Sequence, residues 1–382
     1  MHTFFCPTRI RMGSGVHKRV GEEIKGLGAK SVLLLVDGAL RASPVFDGIC
    51  ASLREHGVSW NVFSEIEPDP SDITVEKALE ACRGQKAEAL IALGGGSTID
   101  VAKAVGILRT NGGTIQEYEG LRKFSIPRLP LVAIPTTAGT GSEVSGSCVI
   151  TDTRRKLKLS IRHPELNPAD IALLDPMAAM TLPAHVAMHA GMDAFVHAFE
   201  SFVSLGANPF TDALNLHALG LINRSILPFI ANRSNEQAAL DMLCGSALAG
   251  MTFGITGLGN VHCISRFIGI YFHLPHGLAN ALCLPHVAEF NRIAVPNKYA
   301  RLAELFGCRG PGMSDTEAAR ETVSYIRQLC QDAGVPMRLR DVGVDRNAFP
   351  EIASLCVKAG YNRWNPRFTT EDDFLRLLES AY

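Results

Sequence analysis

Ala89-Leu90-Ile91-Ala92-Leu93-Gly94-Gly95-Gly96-Ser97-Thr98-Ile99-Asp100 decides the fold of this chain. Five apolar residues in a row, closed by glycine, read as a strand buried on both faces, the signature of a parallel sheet. The helix-period stretch Thr98–Leu108 follows at once. Three glycines let the backbone approach a ligand closely between strand and helix. Ser97 is placed to cap the helix, and Asp100, three residues on, to complete a capping box. Unpaired amides at a helix N-terminus attract phosphate. The spacing is not G-x-G-x-x-G, so it departs from the ordinary dinucleotide fingerprint, and a plain tight turn is the bland alternative.

Outward from this turn the first 175 residues repeat the theme. Short apolar runs at Val32–Val36, Val58–Phe63, Leu131–Ile134 and Ile171–Leu174 alternate with helix-period stretches such as Ile73–Cys82. The pattern predicts a parallel sheet covered on both faces. A second small-residue loop, Pro135–Val144, follows the strand at 131–134, and its Thr136, Thr137 and Thr140 face the same crevice as the glycines, where open α/β sheets bind nucleotides. Asp37 closes the run at 32–36; it suits a ribose hydroxyl and would repel a 2′-phosphate, or else it only makes an Asp-Gly turn. Ser147–Asp152 and Lys156–Ile161 read as a hairpin. Past Asp175-Pro176 the β-branched runs stop, and helical stretches follow at 184–204, 210–231, 236–252, 277–290, 297–306, 315–333, 347–359 and 370–381. The chain therefore divides into an α/β nucleotide-binding domain (1–180) and an all-helical domain (181–382).

Composition agrees with a globular protein. Of 382 residues 47% are apolar, and 37 basic against 38 acidic side chains leave a net charge of −1. Nucleic-acid binding and a polybasic membrane surface are thereby disfavoured. The longest apolar runs are strand-sized, and the N-terminus has no basic, apolar leader. Ten cysteines without Cys-x-x-Cys spacing read as reduced core residues of a cytoplasmic protein.

Eight of the twelve histidines fall between residues 185 and 286. Asp193 and His197 stand four apart in a helical stretch and share a face, a two-ligand clamp. His262 and His276 can complete a set of one carboxylate and three imidazoles, suited to Fe²⁺, Zn²⁺, Mn²⁺ or Co²⁺ and able to act as a Lewis-acid site. His185 and His189 extend the same stripe; spacing does not exclude them as ligands, and they are taken as supporting or structural.

Together these segments resemble the iron-containing (group III) alcohol dehydrogenases, which share the dehydroquinate synthase-like fold. The matching stretches are Gly94–Asp100, Pro135–Val144, Gly191–Ala198, Gly257–His262, Leu274–Ala281 and Asn365-Pro366-Arg367. The resemblance implies an active site in a cleft between the two domains and a homo-oligomer, a dimer or larger. It assigns metal binding to Asp193, His197, His262 and His276, with Fe²⁺ expected before Zn²⁺ or Mn²⁺. It assigns NAD(H) binding to Asp37, Gly95, Gly96, Ser97, Asp100, Thr136, Thr137 and Thr140, and carries a ribose-contacting lysine onto Lys158. The implied chemistry is reversible hydride transfer between a nicotinamide and a short aldehyde or alcohol.

The chain departs from the family at Arg266, four residues after His262, where members usually carry a second histidine. Arginine stays protonated and cannot shuttle a proton near neutral pH, but its forked donors grip sulfonate, phosphonate or carboxylate. Tyr361-Asn362-Arg363-Trp364 replaces a stretch that is usually small, and Tyr361 and Arg363 would narrow the substrate pocket and add charge. The expected substrate is an aldehyde with an anionic group, such as sulfoacetaldehyde, phosphonoacetaldehyde or a semialdehyde. His273 becomes the candidate proton carrier. A metal- and NAD-dependent lyase or cyclase like dehydroquinate synthase, and a silent nucleotide-binding homologue, are the rival readings.

Overall fold

The computed structural model describes residues 3–382, which fall into two compact units. One comprises Phe5–Leu182 with Arg233–Gly254; the other comprises Pro183–Asn232 and Ile255–Tyr382, together with Thr3 and Phe4.

In the first unit the chain runs β1 (Arg9–Met12), α1 (Val20–Gly26), β2 (Ser31–Val36), α2 (Pro44–Glu55), β3 (Ser59–Phe63), α3 (Asp72–Gln85), β4 (Ala89–Gly94) and α4 (Gly96–Asn111). It continues through β5 (Gly120–Leu121), β6 (Leu131–Pro135), β7 (Ser147–Asp152), β8 (Leu157–Arg162), β9 (Ile171–Leu174) and α5 (Pro176–Ala179). Six strands form one parallel sheet in the order β1-β9-β6-β4-β2-β3. Alternate residues serve opposite faces, as strand geometry requires. Leu33, Leu35, Leu90 and Ala92 pack with α3 and α4, while Val32, Leu34, Ile91 and Leu93 pack with α1 and α2. Each fully buried Val, Leu or Ile contributes roughly 1.5–3 kcal/mol, which is why the buried stretches Val32–Val36 and Ala89–Leu93 carry no polar residue. β7 and β8 form the antiparallel hairpin, extended by the two-residue β5 into a small second sheet.

Edge strand β1 has no apolar run to announce it. Its Arg9 and Arg11 both pair with the buried Glu23 of α1. α8 (Glu236–Thr256) belongs over most of its length to the α/β unit, although the sequence places it with the helical half. Its Gly250 lies against Gly141 of the loop after β6, and Cys244 meets Met12. α8 is also long and apolar enough to cross a membrane by length and composition, a length the apolar runs alone did not suggest; most of that window is buried, as in a core helix.

The second unit is helical: α6 (Ala184–Val203), α7 (Pro209–Ala231), α9 (Asn260–Phe272), α10 (His276–Asn291), α11 (Pro296–Phe306), α12 (Asp315–Asp332), α13 (Phe349–Lys358) and α14 (Glu371–Ala381). α9 is an addition to the expected helices. Gly257 and Gly259 mask its start, but Val261, Ile264 and Ile268 follow helical spacing and are buried. All ten cysteines are free thiols.

Candidate metal centre and nucleotide loops

α6 is almost wholly buried, yet it carries Asp193, His197 and Glu200. At i, i+4 and i+7 the three form one stripe. α9 supplies His262 from its first turn and α10 supplies His276 as its first residue. α10 sits close against α6 because Gly277 has no side chain: a methyl group there would lie 2.0 Å from the His189 carbonyl oxygen. That contact seats His276 beside Asp193.

Ligand-capable atoms of Asp193, His262 and His276 lie within 4.8 Å of one another. Asp193 Oδ1 is 3.9 Å from His262 Nε2 and 3.8 Å from His276 Nε2, and Asp193 Oδ2 is 3.8 Å from His197 Nδ1. The rings of His197 and His262 stack at 4.7 Å. Bonds of about 2.1 Å to one tetrahedral ion set donors about 3.4 Å apart, so the cluster needs only small movements to close on a divalent cation. Asp193, His197 and His262 are buried while the His276 side chain is half exposed, so the cluster opens on the His276 side. The donor chemistry fits a first-row divalent metal.

Two residues complete the cluster that the sequence reading passed over. Glu200 accepts from His262 Nδ1 at 2.7 Å and from the amides of Val261 at 2.7 Å and Gly259 at 3.1 Å. It thus caps α9 and holds the His262 proton on Nδ1, turning the Nε2 lone pair toward Asp193. Asn280, one turn along α10 from His276, donates Nδ2 to Asp193 Oδ1 at 2.7 Å and lies 3.3 Å from both His262 Nε2 and His276 Nε2. A carboxylate seven positions after Asp193 on the same largely buried helix was the signal for Glu200. We expect Glu200→Gln to weaken metal affinity about 10- to 100-fold, read by chelator competition; unchanged affinity would show that Glu200 serves α9 alone.

The remaining substrate-side candidates separate. Arg266 is exposed one turn after His262, stands 5.9 Å from the Phe267 ring, and acts electrostatically on Tyr361. Burial pushes the Tyr361 hydroxyl up, and Arg266 opposes it. Arg363 instead lies 5.3 Å over the Trp364 ring, which presses on Gly257. His273 is exposed and caps α9 in the left-handed region at φ 54°. His185 and His189 pack edge to face at 6.0 Å.

In the α/β unit, β4 pairs with β6 and β2 with β4, so Asp37, the glycine turn and the threonine loop follow the carboxyl ends of three adjacent parallel strands. Gly96 faces Thr140, and a methyl group on it would lie 2.8 Å from the threonine methyl; Gly95 faces Thr137 in the same way at 3.1 Å. Thr136 is buried and donates its amide to the Gly94 carbonyl at 3.1 Å. The capping box is corrected: Gly95 is the N-cap, Ser97 lies inside the first turn, and no side chain caps α4. Asp100 instead accepts from Ser142 Oγ at 2.6 Å and the Val149 amide at 2.9 Å, so it ties α4 to the loop and to β7. The fully buried Lys103 completes the tie, donating to Ser142 Oγ, the Ser145 carbonyl and the Ser147 carbonyl at 3.1, 2.9 and 2.7 Å. Burial lowers Lys103, with Asp100 opposing, and burial raises Glu143 nearby to about 7. Asp37 is exposed and accepts from the Ala39 amide at 3.0 Å, making the turn that was its alternative while its other oxygen stays available. Lys158 bonds to Asp69 at 2.6 Å.

Comparison with known proteins decides the family. Residues 7–176 match the family model described as iron-containing alcohol dehydrogenase, and residues 187–382 match the C-terminal model of the same family. The chain belongs to the iron-containing alcohol dehydrogenase family. It is an oxidoreductase of that family, with the family's α/β and helical parts. It is 35% identical to the NAD-dependent methanol dehydrogenase of Bacillus methanolicus, covering 100% of each chain. It is also 35% identical to the sulfoacetaldehyde reductase of Bilophila wadsworthia, covering 98% of this chain and 97% of the relative. A crystal structure of 1,3-propanediol oxidoreductase superposes with a TM-score of 0.97 at 37% identity over 100% of both chains.

Proposed function

We propose that this family member is an NAD(H)-dependent, metal-dependent reductase of short aldehydes that carry an anionic group, with Fe²⁺ as the metal. The observation that carries the reading is the cluster of Asp193, His262 and His276 with His197 beside Asp193, and with Arg266 one turn further along α9. When bound, a divalent ion would supply Lewis acidity toward a carbonyl oxygen, and a nicotinamide would supply or take the hydride. The protein's own groups do the rest. Asp193 brings negative charge to an otherwise neutral donor set, and Glu200 keeps the His262 proton on Nδ1. Arg266, near Tyr361, offers forked donors to a sulfonate, phosphonate or carboxylate. The exposed ring of His273 exchanges the proton with water. Gly95, Gly96, Ser97 and the threonines of the second loop are proposed to take the dinucleotide phosphates, and Asp37 the ribose, which favours NAD over NADP. The likeness to a sulfoacetaldehyde reductase supports the anionic substrate. Ten free thiols and the family resemblance support a cytoplasmic homo-oligomer.

Arg266→Ala tests the substrate class. With NADH, kcat/KM for sulfoacetaldehyde is expected to fall about 10- to 100-fold, the loss of a charge-assisted hydrogen-bonded pair, while that for propanal stays within about threefold. An equal fall on both substrates would contradict the anion grip.

A further inference from the structure

A cavity of about 540 Å³ lies in the helical unit, lined by Arg327 of α12, Arg338 and Arg340 around the turn Leu339–Val342, His286 of α10, Met337 and Tyr382. His286 is ten residues along α10 from His276, roughly 15 Å at the helical rise, so this is a separate place from the metal cluster. Several other arginines of the unit pair with carboxylates: Arg292 with Glu289, Arg309 with Glu304 and Asp315, and Arg346 with Glu379. Among the described residues no carboxylate pairs with Arg327, Arg338 or Arg340. The three arginines are exposed around the open mouth of the cavity, and an anion entering between them meets three positive charges.

The rest of the lining suits an organic anion. His286 Nδ1 lies 3.1 Å from Ser380 Oγ, and burial with the Arg327 charge pushes the imidazole down to about 4. At neutral pH it is therefore an uncharged hydrogen-bonding group. The Tyr382 ring is held edge-on at 5.6 Å by the buried Phe349, giving a fixed apolar wall beside Met337. Cavities of ~300–1,000 Å³ take small organic ligands rather than bare ions, and planar guanidiniums match phosphate oxygens two at a time.

We propose that this cavity binds a small organic phosphate, its phosphoryl group held by Arg327, Arg338 and Arg340 and its carbon skeleton resting on Tyr382 and Met337. The test is calorimetric titration of the full-length protein with glucose 6-phosphate, and with inorganic phosphate, at constant ionic strength. Glucose 6-phosphate is expected to bind at least about tenfold more tightly than inorganic phosphate, because only it meets the apolar wall. Arg327→Ala and Arg338→Ala should each weaken it by about tenfold or more, the loss of one charge-assisted contact. Arg338→Lys, which keeps the charge and loses the fork, should fall between. Arg266→Ala should leave the affinity unchanged, which separates this site from the proposed substrate grip. No binding of glucose 6-phosphate at millimolar concentration would overturn the proposal. So would equal affinity for inorganic phosphate, or affinity lost in Arg266→Ala and kept in the other variants.

Discussion

Replacing Asp193 with Ala is expected to remove bound metal and turnover together. Asp193 is the carboxylate toward which His197, His262 and His276 all turn, at 3.8–3.9 Å. It is buried in α6. A Lewis acid contributes several kcal/mol to stabilising developing charge on an oxygen, which corresponds to about a thousandfold in rate or more. His276→Ala should behave alike. Its half-exposed position makes it the gentler of the two for folding, so it is the variant that keeps the test clean. Metal content by elemental analysis and NADH oxidation at 340 nm should fall in parallel. A metal-free Asp193→Ala protein that keeps its rate would contradict the assignment.

Lys103→Met is expected to destabilise the α/β unit by about 3–5 kcal/mol, the cost of breaking a buried charged network by removing one partner. The ammonium holds Ser142 Oγ and two carbonyls of the 145–147 segment, and Asp100 faces it. Its loss leaves Asp100 without the nearby positive charge that opposes its burial. The same tie shapes the loop that carries Thr136, Thr137 and Thr140, so NADH affinity should weaken with stability. Urea unfolding and fluorescence titration with NADH measure the two effects. A change under about 0.5 kcal/mol would show that Lys103 packs there without bearing on the loop.

The strands of the sheet were legible because each of the interior ones is a run of apolar residues bounded by Gly, Pro or Asp, a pattern that only a doubly covered parallel sheet explains economically. β1 escaped notice because its alternate residues are arginines whose partner, Glu23, is distant in sequence. α9 was hidden by two glycines and an asparagine that imitate a loop. The capping box failed because Gly95 begins α4 two residues earlier than Ser97 would, leaving Asp100 facing inward to a loop more than forty residues away. Spacing on one helix reached Asp193 and His197, but the convergence of His262 and His276 on them depends on how α6, α9 and α10 pack. Glu200 and Asn280 act through hydrogen bonds across 62 and 87 residues, a range at which no local pattern speaks.

Reconstitution of chelator-treated protein tests the central claim most directly. Fe²⁺ added without oxygen, or Zn²⁺, should bind at about one ion per chain, and NADH oxidation with a short aldehyde should rise in proportion to occupancy. Undiminished turnover in protein shown to hold no metal would contradict it, as would binding that survives loss of both Asp193 and His276.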